Sequence, residues 1–174
     1  MGKKGFQMTK SIIIYFSRAD ENYGVGDVKK GNTEYLADFI REATGADTFQ
    51  VTPEHPYPRD YSTCVQVAQE RQQTHDAPIA KPVPDITSYD TVFIGTPVYW
   101  GRMPEELRTA LSGLDLTGKT VNLFVTHEGS AFGDIPQQLE IMFPKVVLNK
   151  LFEIMGRRAA KARNGIARWL KESP

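Results

Sequence analysis

Three runs of apolar, mostly β-branched residues constrain this chain more than anything else in it: Ile12 to Phe16, Val92 to Ile94 and Val121 to Val125. Each is nearly unbroken rather than alternating, which is how a strand reads when helices cover both of its faces. A parallel sheet with helices above and below is expected. Between the runs lie segments with apolar residues at helical spacing. Tyr35, Leu36, Phe39 and Ile40 follow Asn32-Thr33, a pair suited to start a helix, and Gly45 stands where that helix should stop. A short strand is predicted around Phe49 to Val51 and a helix over Tyr61 to Thr74, separated by the proline-rich connection Pro53 to Pro58.

A second proline-containing loop, Pro78 to Pro84, leads into a central strand ending near Thr96. Pro104 begins a helix that ends at Gly113, Gly118-Lys119 turns into the next strand, and Ile135 to Phe143 reads as another helix. The last strand is placed at Leu148 to Met155. Ala159 to Lys171 closes the chain as an amphipathic helix with Ile166, Trp169 and Leu170 on one face. This order of elements describes an α/β fold with a doubly wound sheet of five parallel strands, since parallel neighbours need right-handed helical crossovers.

The 174 residues suit one domain over residues 11–174, preceded by a disordered lead over residues 1–10. Lys+Arg and Asp+Glu are both 21, so the charges cancel and no overall field draws nucleic acid or an anionic membrane. The first ten residues lack the apolar stretch of a signal peptide, and Ile12 to Phe16 is too short to span a bilayer. Cys64 stands alone, so no disulfide can form within the chain, and a reducing, cytoplasmic setting is expected. Partners must therefore be argued from a site.

Ligands of doubly wound sheets bind at the carboxyl ends of the strands. Three loops leave that edge: Ser17 to Thr33, Thr96 to Gly101, and Thr126 to Gly133. In the first, Gly31-Asn32-Thr33 directly precedes a helix and joins hydroxyl and amide donors to free N–H groups, a combination that suits a phosphate without a lysine. The same residues read equally as an ordinary helix cap. In the second, Tyr99 and Trp100 follow a buried strand and suit stacking on a flat heterocycle or packing at the rim. The third is small and polar, and its glycines let backbone N–H groups approach a ligand edge.

Other chemistries fit less well. Gly-x-Gly-x-x-Gly and the Gly-Lys-Ser/Thr ending of phosphate-binding loops are absent. Ser17, His127 and an aspartate could be drawn as a hydrolase triad, yet no Gly-x-Ser-x-Gly elbow carries the serine. A phosphoacceptor module would need a lysine where Thr126-His127 stands. His55, His75 and His127 are scattered and lack metal-ligand spacing.

Taken in order, Tyr15 to Arg18, Gly31 to Thr33, Thr44 to Asp47, Gly95 to Gly101 and Gly118 to Thr120 resemble the flavodoxin family from Ser11 to Leu170. The resemblance implies a flavodoxin-like sheet of strand order 2-1-3-4-5 that binds flavin mononucleotide (FMN) and transfers electrons. It places Ser17, Asn32 and Thr33 at the phosphate, with Arg18 a weaker candidate. It places Thr96, Pro97, Val98, Tyr99, Trp100 and Gly101 in the first loop around the flavin ring. Thr126, His127, Glu128, Gly129 and Ser130 form the second. The partner it implies is a redox protein or a small-molecule electron acceptor. An alternative is an FMN-dependent NAD(P)H:quinone-type reductase. Ala19 to Lys30 departs from the family's compact phosphate loop: it is an insertion that reads as a flap over the flavin, a partner contact or a solvated loop.

Overall fold

The computed structural model describes residues 9–174. Most of the expected lead, residues 1–8, lies outside the described residues. Lys10 is already fixed to the fold, its carbonyl accepting from Asp90 N–H at 2.8 Å and its ammonium lying 4.4 Å from the Tyr89 ring centre. The elements run β1 (Ser11–Tyr15), β2 (Asp20–Asn22), β3 (Gly26–Val28), α1 (Asn32–Thr44), β4 (Asp47–Gln50), α2 (Tyr61–Thr74), β5 (Thr91–Pro97), α3 (Glu105–Ser112), β6 (Thr120–His127), α4 (Ile135–Met142), β7 (Leu148–Met155), a 3₁₀ segment (Gly156–Lys161) and α5 (Arg163–Lys171).

The main sheet has the order β4-β1-β5-β6-β7, with every neighbouring pair parallel. Counted along the main sheet alone this is 2-1-3-4-5, as the resemblance implied. Alternation along the central strands makes the two layers. Ile12, Ile14, Phe16, Val92 and Ile94 point to the side covered by α2, α3 and α4, against Cys64, Leu107, Leu111, Ile135 and Leu139. Ile13, Tyr15, Phe93 and Phe124 point to the other, against Leu36 and Ile40 of α1 and Ile166 and Trp169 of α5. Both layers are needed before either strand face is dry, which is why the strands read as unbroken apolar runs.

Two places differ from the sequence expectation. The stretch Ala19 to Lys30 contains a second, two-stranded antiparallel sheet, with Asp20 opposite Val28 and Asn22 opposite Gly26. The last helix begins not at Ala159 but at Arg163, after the 3₁₀ segment. Its start carries no capping side chain and no acidic residue in the first turn, while Arg157, Arg158 and Lys161 precede it. Positive charge at a helix N-terminus opposes the macrodipole, so the α-helix starts late and a 3₁₀ turn fills the gap. No helix of the described residues is long and apolar enough to cross a membrane.

Candidate functional site

A cavity of about 300 Å³ opens at the carboxyl ends of β1, β5 and β6, with Arg18, Asn32, Pro97, Val98, Tyr99, Trp100, Thr126, His127 and Glu128 among its lining. Three chain-distant loops thus meet, because their strands are neighbours in the sheet. Its volume is at the lower end for small-molecule sites. Among the described residues no three His, Cys, Asp or Glu side chains gather as a metal site.

On the β1 side the chain folds back tightly at Gly31. A Cβ there would run into the Ser17 hydroxyl and lie 2.7 Å from the Arg18 carbonyl oxygen, so the close approach requires glycine. That approach brings the Ser17 hydroxyl to the start of α1, where it accepts the Glu34 N–H at 3.0 Å. Gly31 occupies the cap position and has no side chain to offer. Ser17 therefore does the capping from across the loop, and neither Asn32 nor Thr33 does. Asn32 faces the cavity. Thr33 turns inward, 1% exposed, its hydroxyl 2.8 Å from that of Thr126, and ties the first loop to the third.

Arg18 does not point at the start of α1. Its guanidinium donates to the carbonyls of Glu21, Pro58 and Arg59, at 2.7 Å and 2.8 Å for the last two. It is the post on which the β2–β3 hairpin hangs.

On the β5 side, Tyr99 and Arg102 exchange both backbone hydrogen bonds, at 2.7 and 3.1 Å, around Trp100 and Gly101. A two-residue turn of this kind needs positive φ at both central positions, and Trp100 and Gly101 have φ of 52° and 74°. The strained turn lifts the indole outward, 53% exposed, where its N–H donates to the Val65 carbonyl of α2 at 2.9 Å. Tyr99 goes the other way. Its ring meets Phe16 and Tyr57 edge-to-face, both at 5.8 Å, and forms the cavity floor, where burial pushes its phenol well above the usual range. Thr96 is wholly buried, its hydroxyl on the Pro97 carbonyl at 2.7 Å, and Thr96 and Gly101 are not among the lining residues.

On the β6 side the third loop offers less backbone than expected. The Gly129 N–H is already given to His127 Nδ1, at 2.9 Å, which leaves the ring proton on Nε2 to bond Glu153. Gly129 and Ser130 are exposed and outside the lining. Glu128 lies inside. A Cβ on Gly24, at the hairpin tip, would sit 2.8 Å from its carboxylate, and one on Gly156 would overlap both that carboxylate and the Asn32 amide. Burial pushes the Glu128 carboxyl up, with His127, Arg157 and the Gly156 N–H pulling the other way.

Six lining residues are not among the named candidates: Asn22 and Tyr23 from the hairpin, in the stretch for which a flap is one reading, and Tyr61, Cys64, Val65 and Ala68 from α2. The α2 set has i, i+3, i+4, i+7 spacing, one helix stripe, and in the sequence it cannot be told from a core-facing stripe.

Five parallel strands with three carboxyl-end loops and a helix N-terminus around one cavity define a doubly wound α/β protein with a small-molecule site. The family model described as flavodoxin matches residues 23–173, and the chain belongs to that family. A protein from Bacteroides eggerthii designated a flavoprotein superposes with a TM-score of 0.73 at 25% identity, over 94% of this chain and 96% of that one. Another so designated, from Bacteroides uniformis, gives 0.74 at 22%, over 94% and 99%. A flavoprotein from Lactobacillus acidophilus, solved in complex with FMN, gives 0.63 at 16%, over 93% and 99%. A sequence comparison with curated proteins returns no match.

Proposed function

We propose that this chain binds FMN in the cavity and works in electron transfer, exchanging electrons with a redox protein or a small-molecule acceptor. The observation that carries the reading is the cavity itself: a mostly apolar slot with a polar end, joining the start of α1, where Ser17 takes only the Glu34 N–H, to the Trp100 turn. At one end the Asn32 amide and the first N–H groups of α1 can bond a phosphate, helped by the helix dipole. Gly31 lets Ser17 and the Arg18 backbone close in on the start of α1. At the other end Pro97, Val98 and Trp100 offer apolar surface to a flat ring. Thr33, locked on Thr126, fixes the first loop against the third rather than touching a ligand. Bound FMN supplies a ring that takes up and releases electrons; the protein supplies its position and surroundings.

A second reading, an FMN-dependent NAD(P)H:quinone-type reductase, is favoured by the charge balance of 21 against 21, which gives no net charge to steer a protein partner. FMN titration of the purified protein tests the shared part. Asn32→Ala should weaken FMN by about tenfold, the loss of one hydrogen bond to a charged group, while riboflavin, lacking the phosphate, should bind as before. Equal FMN affinities in wild type and variant would remove the phosphate from Asn32. Oxidation of added NAD(P)H by a quinone, dependent on bound FMN, separates the reductase from the carrier.

A further inference from the structure

Large apolar or aromatic side chains exposed on the described surface are few, and three of them, Tyr23, Tyr61 and Trp100, line the same cavity. They come from separate segments: the hairpin turn, the first residue of α2 and the turn after β5. Tyr23 leans on Tyr61 with ring centres 5.8 Å apart and planes tilted 38°. The loop after β6 adds no aromatic lining beyond the edge of His127, because Phe132 packs against the core instead.

We infer that the β2–β3 hairpin is a built wall of the flavin site, with Tyr23 backed by Tyr61 contacting the flavin ring. This rests on the FMN reading above.

A contact of this kind needs a rigid mount, and the hairpin has one. Besides the Arg18 guanidinium, the Glu21 N–H donates to the Arg59 carbonyl at 3.2 Å, and the Glu21 carboxylate accepts the Tyr61 N–H at 2.9 Å. Arg59 pairs with Asp20 at 3.4 Å, and the Asn22 amide bonds the carbonyls of Arg18, Ala19 and Asp20 at 3.1 to 3.2 Å. At the tip, Gly24 has φ of 77°, a backbone conformation that strains any side chain, and lies beside the Glu128 carboxylate. The segment is therefore held at its base by Arg18 and by the Glu21 bonds to Arg59 and Tyr61, with its tip beside Glu128. Tyr23 is 61% exposed in spite of this, on a frame that spends several polar contacts to keep it there. A tyrosine face fixed at a cavity of about 300 Å³ suits one flat ring.

The test is the affinity of ligand-free protein for two probes, FMN and riboflavin, in three variants. Tyr23→Leu should weaken both flavins by the same factor, about threefold to tenfold, because an aromatic pair is worth 0.5–1.5 kcal/mol beyond its area. Tyr23→Phe should stay within about twofold of wild type, since the face and not the hydroxyl is used. Asn32→Ala should affect FMN alone. The exposed position of Tyr23 leaves the fold intact, so a loss in the leucine variant reads the contact. Wild-type affinity for both flavins in Tyr23→Leu, or a loss confined to FMN, overturns the wall. A wild-type protein that binds neither flavin overturns the FMN reading first, and the wall with it.

Discussion

Glu128 is the one acidic side chain at the cavity that shares its space with the proposed phosphate donor. Its neighbours are Gly24, Gly156 and the Asn32 amide, with His127 and Arg157 as the nearby positive or titratable groups. Burial raises its carboxyl pKa above the unfolded value. A group raised in the fold contributes stability that is complete below its unfolded pKa and is lost as pH rises through the folded one. A phosphate beside Asn32 would raise it further, since two anions disfavour each other. FMN should therefore bind better on the acid side of the Glu128 titration and worse above it. Glu128→Gln, which keeps an acceptor oxygen, should tighten FMN by about threefold to tenfold at pH 8 and flatten the profile, one pKa unit being a factor of ten in coupling. The titration of the phosphate itself is common to both proteins and cancels in the ratio. Parallel profiles from pH 4.5 to 8 would show that Glu128 does not sense the ligand.

At the scale of elements, α2 and α3 are joined by a charge network that the apolar pattern gave no hint of. Glu106, with none of its side chain exposed, bonds the Tyr57 hydroxyl at 2.8 Å and pairs with Arg71, which also lies 4.2 Å from the Tyr57 ring centre. Beside it Glu105 meets His75 at 2.7 Å and Arg108. Both carboxylates lie in the first turn of α3, where the helix dipole favours them. Glu106→Ala would strand a guanidinium and a buried hydroxyl together, so a loss of about 3–5 kcal/mol is expected in urea unfolding. A loss under about 1 kcal/mol would mean that water replaces the carboxylate. The network also reaches the site, because Gln72 of the same helix donates to the Tyr99 carbonyl at 2.6 Å and steadies the Trp100 turn.

These elements show what the sequence could carry. Ile12 to Phe16 or Val121 to Val125 announce themselves because a strand buried on both faces is nearly all apolar, Asn122 being buried with its side-chain oxygen accepting from Asn149 at 2.9 Å. The helix expected over Tyr61 to Thr74 forms with those bounds, and the structure adds the cap that starts it, Asp60 accepting the Thr63 N–H at 2.8 Å. The hairpin was not legible. Its strands are three residues each, Asp-Glu-Asn and Gly-Asp-Val, with no apolar alternation, and what orders them is Arg18 reaching Pro58 and Arg59, 40 and 41 residues away. Local pattern cannot show so distant a partner. In the site, the loops that face the cavity could be found from strand ends, but their individual side chains could not. Thr33 and Gly129 differ from Asn32 only in where their donors are already spent.

At the scale of the whole molecule, a ligand in the cavity would touch several separate segments of the fold at once. The loops come from β1, β5 and β6, the hairpin hangs from residues 58–61 through Arg18, and α1 reaches the third loop through Thr33 and Thr126. A ligand that binds the folded chain and not the unfolded one adds stability of RT ln(1 + [L]/Kd), about 2.7 kcal/mol at a hundredfold excess over Kd. For a chain of this length that converts to a rise of about 5–11 °C in Tm. Riboflavin at the same multiple of its own Kd should give the same rise, since the linkage depends on occupancy and not on which contacts supply it. At equal concentrations FMN should give the larger rise, by the share of affinity that its phosphate contributes. Thermal melts with each flavin distinguish these cases. A Tm that does not move with saturating FMN would mean that the folded chain does not bind it, and the reading of the cavity would fail at its first step.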